Sequence, residues 1–125
     1  MSALWEQTAT ALAGLLARGE VSSREAVDAH LARIAAVDGR VRAFTAVFAE
    51  RARAEAGARD RERREGQVRG PLHGLPVSVK ECFDLAGEPT TLGLTAWRER
   101  RAARDAALVT LLREAGAVIL GRTKI

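Results

Sequence analysis

The sequence predicts an α/β fold, in which strands and helices alternate in the second half of the chain. A short β-branched run, "PVSVK" (76–80), follows a loop rich in glycine and proline and has the composition of a strand. The continuous apolar run "AVILG" (117–121) is typical of a strand buried on both faces. The helical pattern "AALVTLLREAG" separates them. Strand, helix and buried strand in this order predict a parallel pair joined by a crossover.

Two helices are predicted at the start of the chain. The first covers residues 3–18 and ends at Gly19, and its apolar face consists of Trp5, Leu12, Leu15 and Leu16. The second begins at a capping box formed by Ser22 and Glu25, and Asp38-Gly39 is expected to stop it. Its apolar stripe consists of Val27, Leu31 and Ile34.

An extended segment and a charged helix follow. Residues 40–48, "RVRAFTAVF", are predicted to form an extended segment. A helix with interleaved acidic and basic residues is predicted to follow, ending at about Glu65. The loop "GQVRGPLHGLP" then carries three glycines and two prolines, which force a shaped connection into the strand. His73 lies in this loop and is interpreted as a structural loop residue rather than a catalytic one.

The first strand and the last helix define the rest of the pattern. Alternation places Val77 and Val79 on one face of the strand, and Ser78 and Lys80 on the other. Asp105 is the expected N-cap of the last helix, and Gly116 closes it. The residues expected to face inward from that helix are Leu108, Leu111, Leu112 and Ala115.

The charge pattern argues against a nucleic-acid partner. The calculated pI is about 10.5, yet the formal charge is only +4 because 16 acids are interleaved with 20 bases. Nucleic-acid binding sites cluster their positive charge on one face. The basic turn at 98–104 is therefore interpreted as solvent-facing, and no nucleic acid is expected to bind.

Other classes are excluded by what the sequence lacks. The only cysteine, Cys82, excludes an internal disulfide, and with two distant histidines it provides no metal constellation. It is interpreted as a packed thiol rather than a nucleophile. The N-terminus has no signal-peptide pattern, and no apolar run reaches the roughly 20 residues of a membrane span. A cytoplasmic protein without cofactor or metal is expected.

Lys80 is the first candidate for chemistry. Of the 20 basic residues, 18 are arginines, and only Lys80 and Lys124 are lysines. Arginine stays protonated in proteins, whereas a desolvated lysine can lose its proton and act as a base. A lysine kept at the end of an apolar strand therefore suggests a function that arginine could not perform.

From Gly70 onward the chain resembles the amidase signature family. That family reads "GPLHGIPVAVKD", then "G-x-P-T-T-x-G", then "DA-x-V-x-x-L-x-x-AGA-x-I-x-GKTN". Here the three blocks are "GPLHGLPVSVKE", "AGEPTTLG" and "RDAALVTLLREAGAVILGRTK". The first seventy residues fit the family's helical lead-in more weakly. The combination of "VKECF" with "TLGL" is closer to the fatty acid amide hydrolase branch.

The resemblance implies a fold and a reaction. The expected fold is the N-terminal part of an α/β/α domain with a mixed sheet, with residues 1–65 as a helical lead-in (helices from residue 3) and 66–125 as the start of the catalytic core. Family members hydrolyse linear amides with a Ser–cis-Ser–Lys triad, and Lys80 matches the lysine. That lysine, when neutral, accepts a proton through the cis serine, which activates the nucleophilic serine.

The chain also departs from the family pattern. Both triad serines belong to a region after "GRTK", and Ser78 matches neither of them. Lys124 stands where the family has asparagine. We therefore expect residues 1–125 to be an N-terminal fragment of one amidase domain that is inactive alone, and its "AVILG" strand to lose its neighbours. A non-catalytic product of a truncated or decayed gene is the alternative, as is a fragment similar to the A-subunit of an amidotransferase. The only expected partner is a small amide substrate, bound by the full-length form.

Overall fold

The structure, a computed structural model, describes residues 2–125. In chain order its elements are α1 (Ala9–Ala17), α2 (Ser23–Val41), β1 (Phe44–Val47), α3 (Ala49–Arg64), β2 (Pro76–Lys80), α4 (Ala107–Glu114) and β3 (Val118–Thr123). Short 3₁₀ turns cover Leu4–Glu6 and Thr95–Trp97. The predicted alternation of strands and helices is confirmed.

The three strands form a mixed sheet with the order β1-β3-β2. β2 and β3 are parallel, and α4 lies in the connection between them, which confirms the predicted crossover pair. β1 pairs with β3 in the antiparallel direction. The expectation that β3 would lose its neighbours is wrong, because it is the central strand. The predicted helical lead-in also contributes β1, an edge strand of this sheet.

Helices cover both faces of the sheet. On one face, α2 and α3 pack against Val118 and Leu120 of β3. On the other face, Ile119 of β3 contacts Val79 of β2 and Val109 of α4. The alternation along β3 therefore separates two apolar clusters, as expected for a strand buried on both faces. The result is an α/β/α arrangement.

The first predicted helix is divided in two. A 3₁₀ turn holds Trp5, and α1 begins only after Thr8, whose side chain accepts a hydrogen bond from the Ala11 N–H at 3.1 Å. Trp5 is therefore absent from the face that buries Leu12 and Leu16, and its ring instead lies 4.2 Å from the Arg33 guanidinium carbon. The local Ser/Thr capping preference outweighed the apolar periodicity here.

The start of α2 matches the prediction, but its end does not. Ser22 and Glu25 form the predicted capping box. The helix continues through Asp38-Gly39 to Val41 and ends at Arg42, which has a φ of 54°. Asp38 does not stop the helix because its carboxylate accepts a hydrogen bond from the Ala43 N–H at 2.8 Å, beyond the helix end.

Two expectations for α4 are wrong. The N-cap is Ala106, whereas the Asp105 carboxylate accepts hydrogen bonds from the Ala86 N–H and the Arg113 Nε–H at 2.9 and 3.1 Å. Leu108 and Leu111 do not face inward but are 44% and 63% exposed. The buried stripe passes instead through Val109, with Leu112 partly buried beside it. The eight-residue helix contacts the sheet along one narrow face, so the other leucines remain outside.

The charges of α3 are interleaved with acids, as predicted. Arg53 Nε lies 3.0 Å from Asp28 Oδ1 of α2, and Arg59 Nε lies 2.9 Å from Glu62 Oε2 on α3 itself. These pairs distribute positive and negative charge along the helix surface. They give α3 no face of a single sign at these positions.

Candidate active site

Lys80 lies at the C-terminal end of β2, at the edge of the sheet where parallel strands finish. Its Cα pairs with Thr123 of β3. Alternation along β2 buries Val79, which is 3% exposed, and leaves the side chains of Ser78 and Lys80 exposed. Within residues 2–125 the Lys80 side chain makes no hydrogen bond or ion pair. Within these residues, hydrogen bonds therefore hold only its backbone.

The backbone after Lys80 forms a tight turn that is attached to β3. The Phe83 N–H donates to the Lys80 carbonyl at 3.0 Å, and the Glu81 N–H donates to the Thr123 carbonyl at 2.8 Å. The second bond extends the strand pairing by one residue. The main chain on both sides of Lys80 is therefore held by hydrogen bonds.

Glu81 directs a buried carboxylate into the loop that follows β2. Oε2 accepts hydrogen bonds from the N–H and the hydroxyl of Thr91 at 2.9 and 2.7 Å, and Oε1 accepts one from the Leu92 N–H at 2.9 Å. Burial raises the pKa of this carboxyl, but the hydrogen bonds and the positive charge of Arg122 outweigh burial and hold the pKa below its ordinary value. The carboxylate is thus maintained in its charged form.

Arg122 is a buried cation at the C-terminal end of β3. Its Nη2 donates to the carbonyls of Glu81 and Phe83 at 2.9 and 2.8 Å and lies 3.3 Å from Thr90 Oγ1. Its Nη1 donates to the Pro89 carbonyl. The guanidinium therefore connects the turn after β2 to the loop around residue 90. Arginine suits this position because its fixed fork carries several donors and never loses its charge.

The structure gives His73 a structural role in its loop. It is buried, the Arg69 N–H donates to its Nδ1 at 3.0 Å, and its Nε2 lies 2.8 Å from the Arg59 carbonyl. Because Nδ1 accepts a hydrogen bond, Nε2 carries the proton and donates to Arg59. Both ring nitrogens are therefore engaged in holding the loop against α3.

Two other residues named from the sequence lie near Lys80, since Cys82 is in the turn that follows it and Lys124 follows its strand partner Thr123. Cys82 is exposed in the turn after Lys80, rather than packed as predicted. Lys124 is exposed, and its N–H donates to the Ala43 carbonyl at 2.8 Å. No group of three or more His, Cys, Asp or Glu side chains suited to a metal ion occurs within residues 2–125. In the same range, no helix combines the length and apolar character that crossing a bilayer requires.

Sequence reasoning proposed Lys80, which stays a prediction, and did not single out the buried side chains of Glu81 and Arg122. Each stands at the end of an apolar run, directly after "VSVK" and "VILG" respectively. A charged residue adjoining a buried strand was the available signal, since such residues are rarely fully buried unless they are well partnered. Most of their partners are backbone groups of the following turn and loop, which no side-chain pattern reveals.

Comparison with known proteins identifies the family to which the chain belongs. The family model described as Amidase matches residues 25–125. The chain belongs to the amidase family, and the resemblance seen in its sequence motifs is confirmed. The lean toward the fatty acid amide hydrolase branch stays a prediction.

Individual relatives agree with this assignment. The A-subunit of the glutamyl-tRNA(Gln) amidotransferase of Salinispora arenicola is 46% identical over 128 residues, covering 100% of this chain and 26% of the relative. An amidase of Pseudomonas putida is 43% identical, covering 98% and 26%. The peptide amidase structure from Stenotrophomonas maltophilia superposes with a TM-score of 0.86 at 42% identity, covering 94% and 24%. The chain spans about a quarter of the length of these relatives.

Proposed function

We propose that Lys80 is the proton-accepting lysine of an amidase that hydrolyses linear amides by a Ser–cis-Ser–Lys mechanism. The observation that carries the proposal is the position of Lys80, which ends β2 within the family's motif and exposes its side chain at the carboxyl edge of the parallel strands. Sites in open α/β sheets lie at this edge. The neutral amine would take a proton relayed from the nucleophilic serine.

Residues 1–125 would provide one part of that site. In this proposal they form the N-terminal portion of a single amidase domain, with 66–125 as the start of its catalytic core. The two triad serines come from outside these residues. A small amide is the expected substrate, and a cytoplasmic location stays a prediction.

The A-subunit of an amidotransferase is a second candidate. The 46% identity across the whole chain to the Salinispora arenicola protein favours it. The non-catalytic alternative is separated from both by sequencing the DNA after the codon for Ile125. A serine- and glycine-rich continuation would support an enzyme, whereas its absence from all reading frames would support the non-catalytic product.

The role of Lys80 is tested in a fusion in which residues 1–125 replace the matching part of the Pseudomonas putida amidase. Lys80→Arg keeps the positive charge but cannot become neutral, so it should be nearly as damaging as Lys80→Ala. We expect each to lose at least roughly 10²–10⁴-fold in kcat.

An exposed arginine away from β2 provides the control. Arg64→Lys makes the reverse exchange at the end of α3, and it should leave kcat nearly unchanged. All variants must show an unaltered circular dichroism spectrum. A folded Lys80→Arg fusion with near-normal turnover would rule out the base role.

A second experiment concerns the 125 residues alone. Their four serines are Ser2, Ser22, Ser23 and Ser78. Ser22 and Ser23 hold α2 in place, since Ser22 caps it and the buried Ser23 hydroxyl donates to the Gly74 carbonyl. We expect no amide hydrolysis and no label from a serine-directed fluorophosphonate probe, while the fusion is labelled. Labelling of Ser78 or any other serine of the isolated chain would contradict this.

A further inference from the structure

We propose that Glu81 and Arg122 are positioning residues that together fix the backbone at Lys80 and hold the 84–93 loop beside it. We refer to this pair as the Lys80 lock. The inference rests on the proposed function, since it assigns the lock to the lysine of that site. Neither side chain needs to touch a substrate, because both act through the main chain.

Lys80 requires such support because its own side chain supplies none. Within residues 2–125 the Lys80 side chain makes no hydrogen bond or ion pair, and its stem has several freely rotating bonds. Within these residues, the backbone is thus the part of Lys80 that is held, and it sets the region that the amine can reach. A displacement of about 1 Å can cost roughly 10²-fold in rate at a reacting group.

Within the Lys80 lock, Glu81 binds the 84–93 loop. Three donors from Thr91 and Leu92 converge on one carboxylate, at 2.7–2.9 Å. Leu92 has a φ of 52°, a left-handed conformation that non-glycine residues rarely adopt. The carboxylate therefore holds the loop in a backbone conformation that it would otherwise disfavour. Since Glu81 directly follows Lys80, the loop is fixed relative to the lysine.

Arg122 binds the turn that follows Lys80. One guanidinium donates to the carbonyls of Glu81, Phe83 and Pro89. The first two belong to the turn that begins at Lys80, and the third belongs to the loop held by Glu81. Arg122 itself lies on β3, opposite Val79 of β2. The lock thus connects the ends of both parallel strands to one loop.

The burial of both charges supports a positioning role over a purely stabilising one. Glu81 is 5% exposed and Arg122 is 2% exposed. Within the described residues their side chains form no direct ion pair. Backbone and hydroxyl groups bind the Glu81 carboxylate and both Nη atoms of Arg122, whereas the buried Arg122 Nε has no hydrogen-bond partner. Well-packed apolar residues often stabilise a fold as much as buried charges do. Glu81 and Arg122 add directional hydrogen bonds, which permit one arrangement of the turn and the loop.

The test measures hydrogen exchange by mass spectrometry on the 125-residue chain. Glu81→Gln replaces one acceptor oxygen with an NH₂ group, which would face a donor of Thr91 or Leu92. Arg122→Met removes the guanidinium and its donors. If the two sides act as a unit, each variant must disturb the other's contacts. We expect Glu81→Gln to accelerate exchange at Phe83, and Arg122→Met to accelerate it at Thr91 and Leu92, each by at least about tenfold.

Controls separate this effect from general destabilisation. Glu88→Gln changes an acid in the same loop whose partner is Arg51, and it should leave exchange at these amides unchanged. Arg122→Lys should restore part of the protection lost in Arg122→Met, while the amides of α2 stay protected throughout. The proposal fails if Glu81→Gln accelerates exchange only at Thr91 and Leu92 and leaves Phe83 as before.

The fusion provides a second measurement that applies even if a variant of the isolated chain unfolds. Glu81→Gln and Arg122→Met should lower kcat about 10–100-fold with KM within about twofold, and Arg122→Lys should recover part of kcat. Equal kcat in all variants would overturn the lock. The two proposals fail separately, because an active Lys80→Arg fusion removes the base role, whereas an undisturbed Phe83 amide removes only the lock.

Discussion

The Glu81 carboxylate is kept charged mainly by neutral donors. Burial favours its protonated form, yet two N–H groups and one hydroxyl bind the carboxylate more strongly than they would bind the acid. The result is a pKa below the ordinary glutamate value. A group with a depressed pKa stabilises the folded state while it is ionised, and this contribution is lost as it takes up a proton.

This predicts a specific dependence of stability on pH. The contribution of Glu81 is present above its unfolded-state pKa, about 4.3, and is lost as the pH falls through its lower folded-state value. The unfolding temperature of the wild-type chain should therefore exceed that of Glu81→Gln most at neutral pH. The difference should shrink below about pH 4, as measured by circular dichroism.

Glu88→Gln serves as the reference for that measurement, because Glu88 forms only a partly exposed pair with Arg51. Its difference from wild type should be small at every pH. A Glu81→Gln difference that stayed constant from neutral to acidic pH would show that the carboxylate charge does not contribute.

At the scale of elements, the turn between α4 and β3 is constrained by the loop that precedes β2. Gly116 has a φ of 95°, and a Cβ added there would lie 2.6 Å from His73 Cα. The Gly74 N–H also donates to the Gly116 carbonyl at 2.8 Å. The start of β3 and the approach to β2 therefore fit together only if residue 116 has no side chain.

Gly116→Ala should consequently destabilise the chain beyond the cost of a positive φ. Gly19→Ala is the matched control, since Gly19 has a φ of 72° and nothing within 4 Å of an added Cβ. We expect Gly116→Ala to cost roughly 1–3 kcal/mol more, because overpacking adds to backbone strain. Chemical denaturation of both variants measures the difference, and equal losses would contradict the close approach.

The sequence allowed the elements to be predicted better than their ends. Periodicity and composition located β2, β3 and α3, because these patterns reflect burial that a strand or helix must achieve. The ends of α2 and α4 were missed for a common reason. Asp38 and Asp105 are both typical of helix boundaries, but their carboxylates bind backbone N–H groups of neighbouring segments. Such tertiary hydrogen bonds leave no local pattern.

The sequence also predicted only part of the candidate active site. The scarcity of lysine pointed to Lys80 because only lysine can supply a neutral amine on a long stem. The partners of Glu81 and Arg122 are backbone groups and threonine hydroxyls of residues 81–92, so their identity depends on the fold of a loop. Sequence motifs indicated that the loop matters without showing what holds it.

At the scale of the molecule, the outer face of α4 exposes apolar surface. Leu108 and Leu111 lie three residues apart on the helix and point away from the sheet. Contiguous exposed apolar groups favour association. We expect the 125-residue chain to self-associate as its concentration rises, and sedimentation velocity should detect this.

The double substitution Leu108→Lys and Leu111→Lys should shift the chain toward monomer without lowering its unfolding temperature. Thr110→Lys adds a charge at a neighbouring exposed position and should reduce association much less. A wild-type chain that sediments as a monomer at all concentrations would show that this face does not drive association.

The central position of β3 also determines when these three strands can pair during synthesis. β1 and β2 are made before β3, and within residues 2–125 they contact β3 but not each other. While the chain emerges from the ribosome, β1 and β2 therefore cannot form these pairings until residues 118–123 appear. Until then α2 and α3, whose contacts are local, can form a helical pair. The backbones of β1 and β2 are consequently most vulnerable to wrong pairing just before β3 is released.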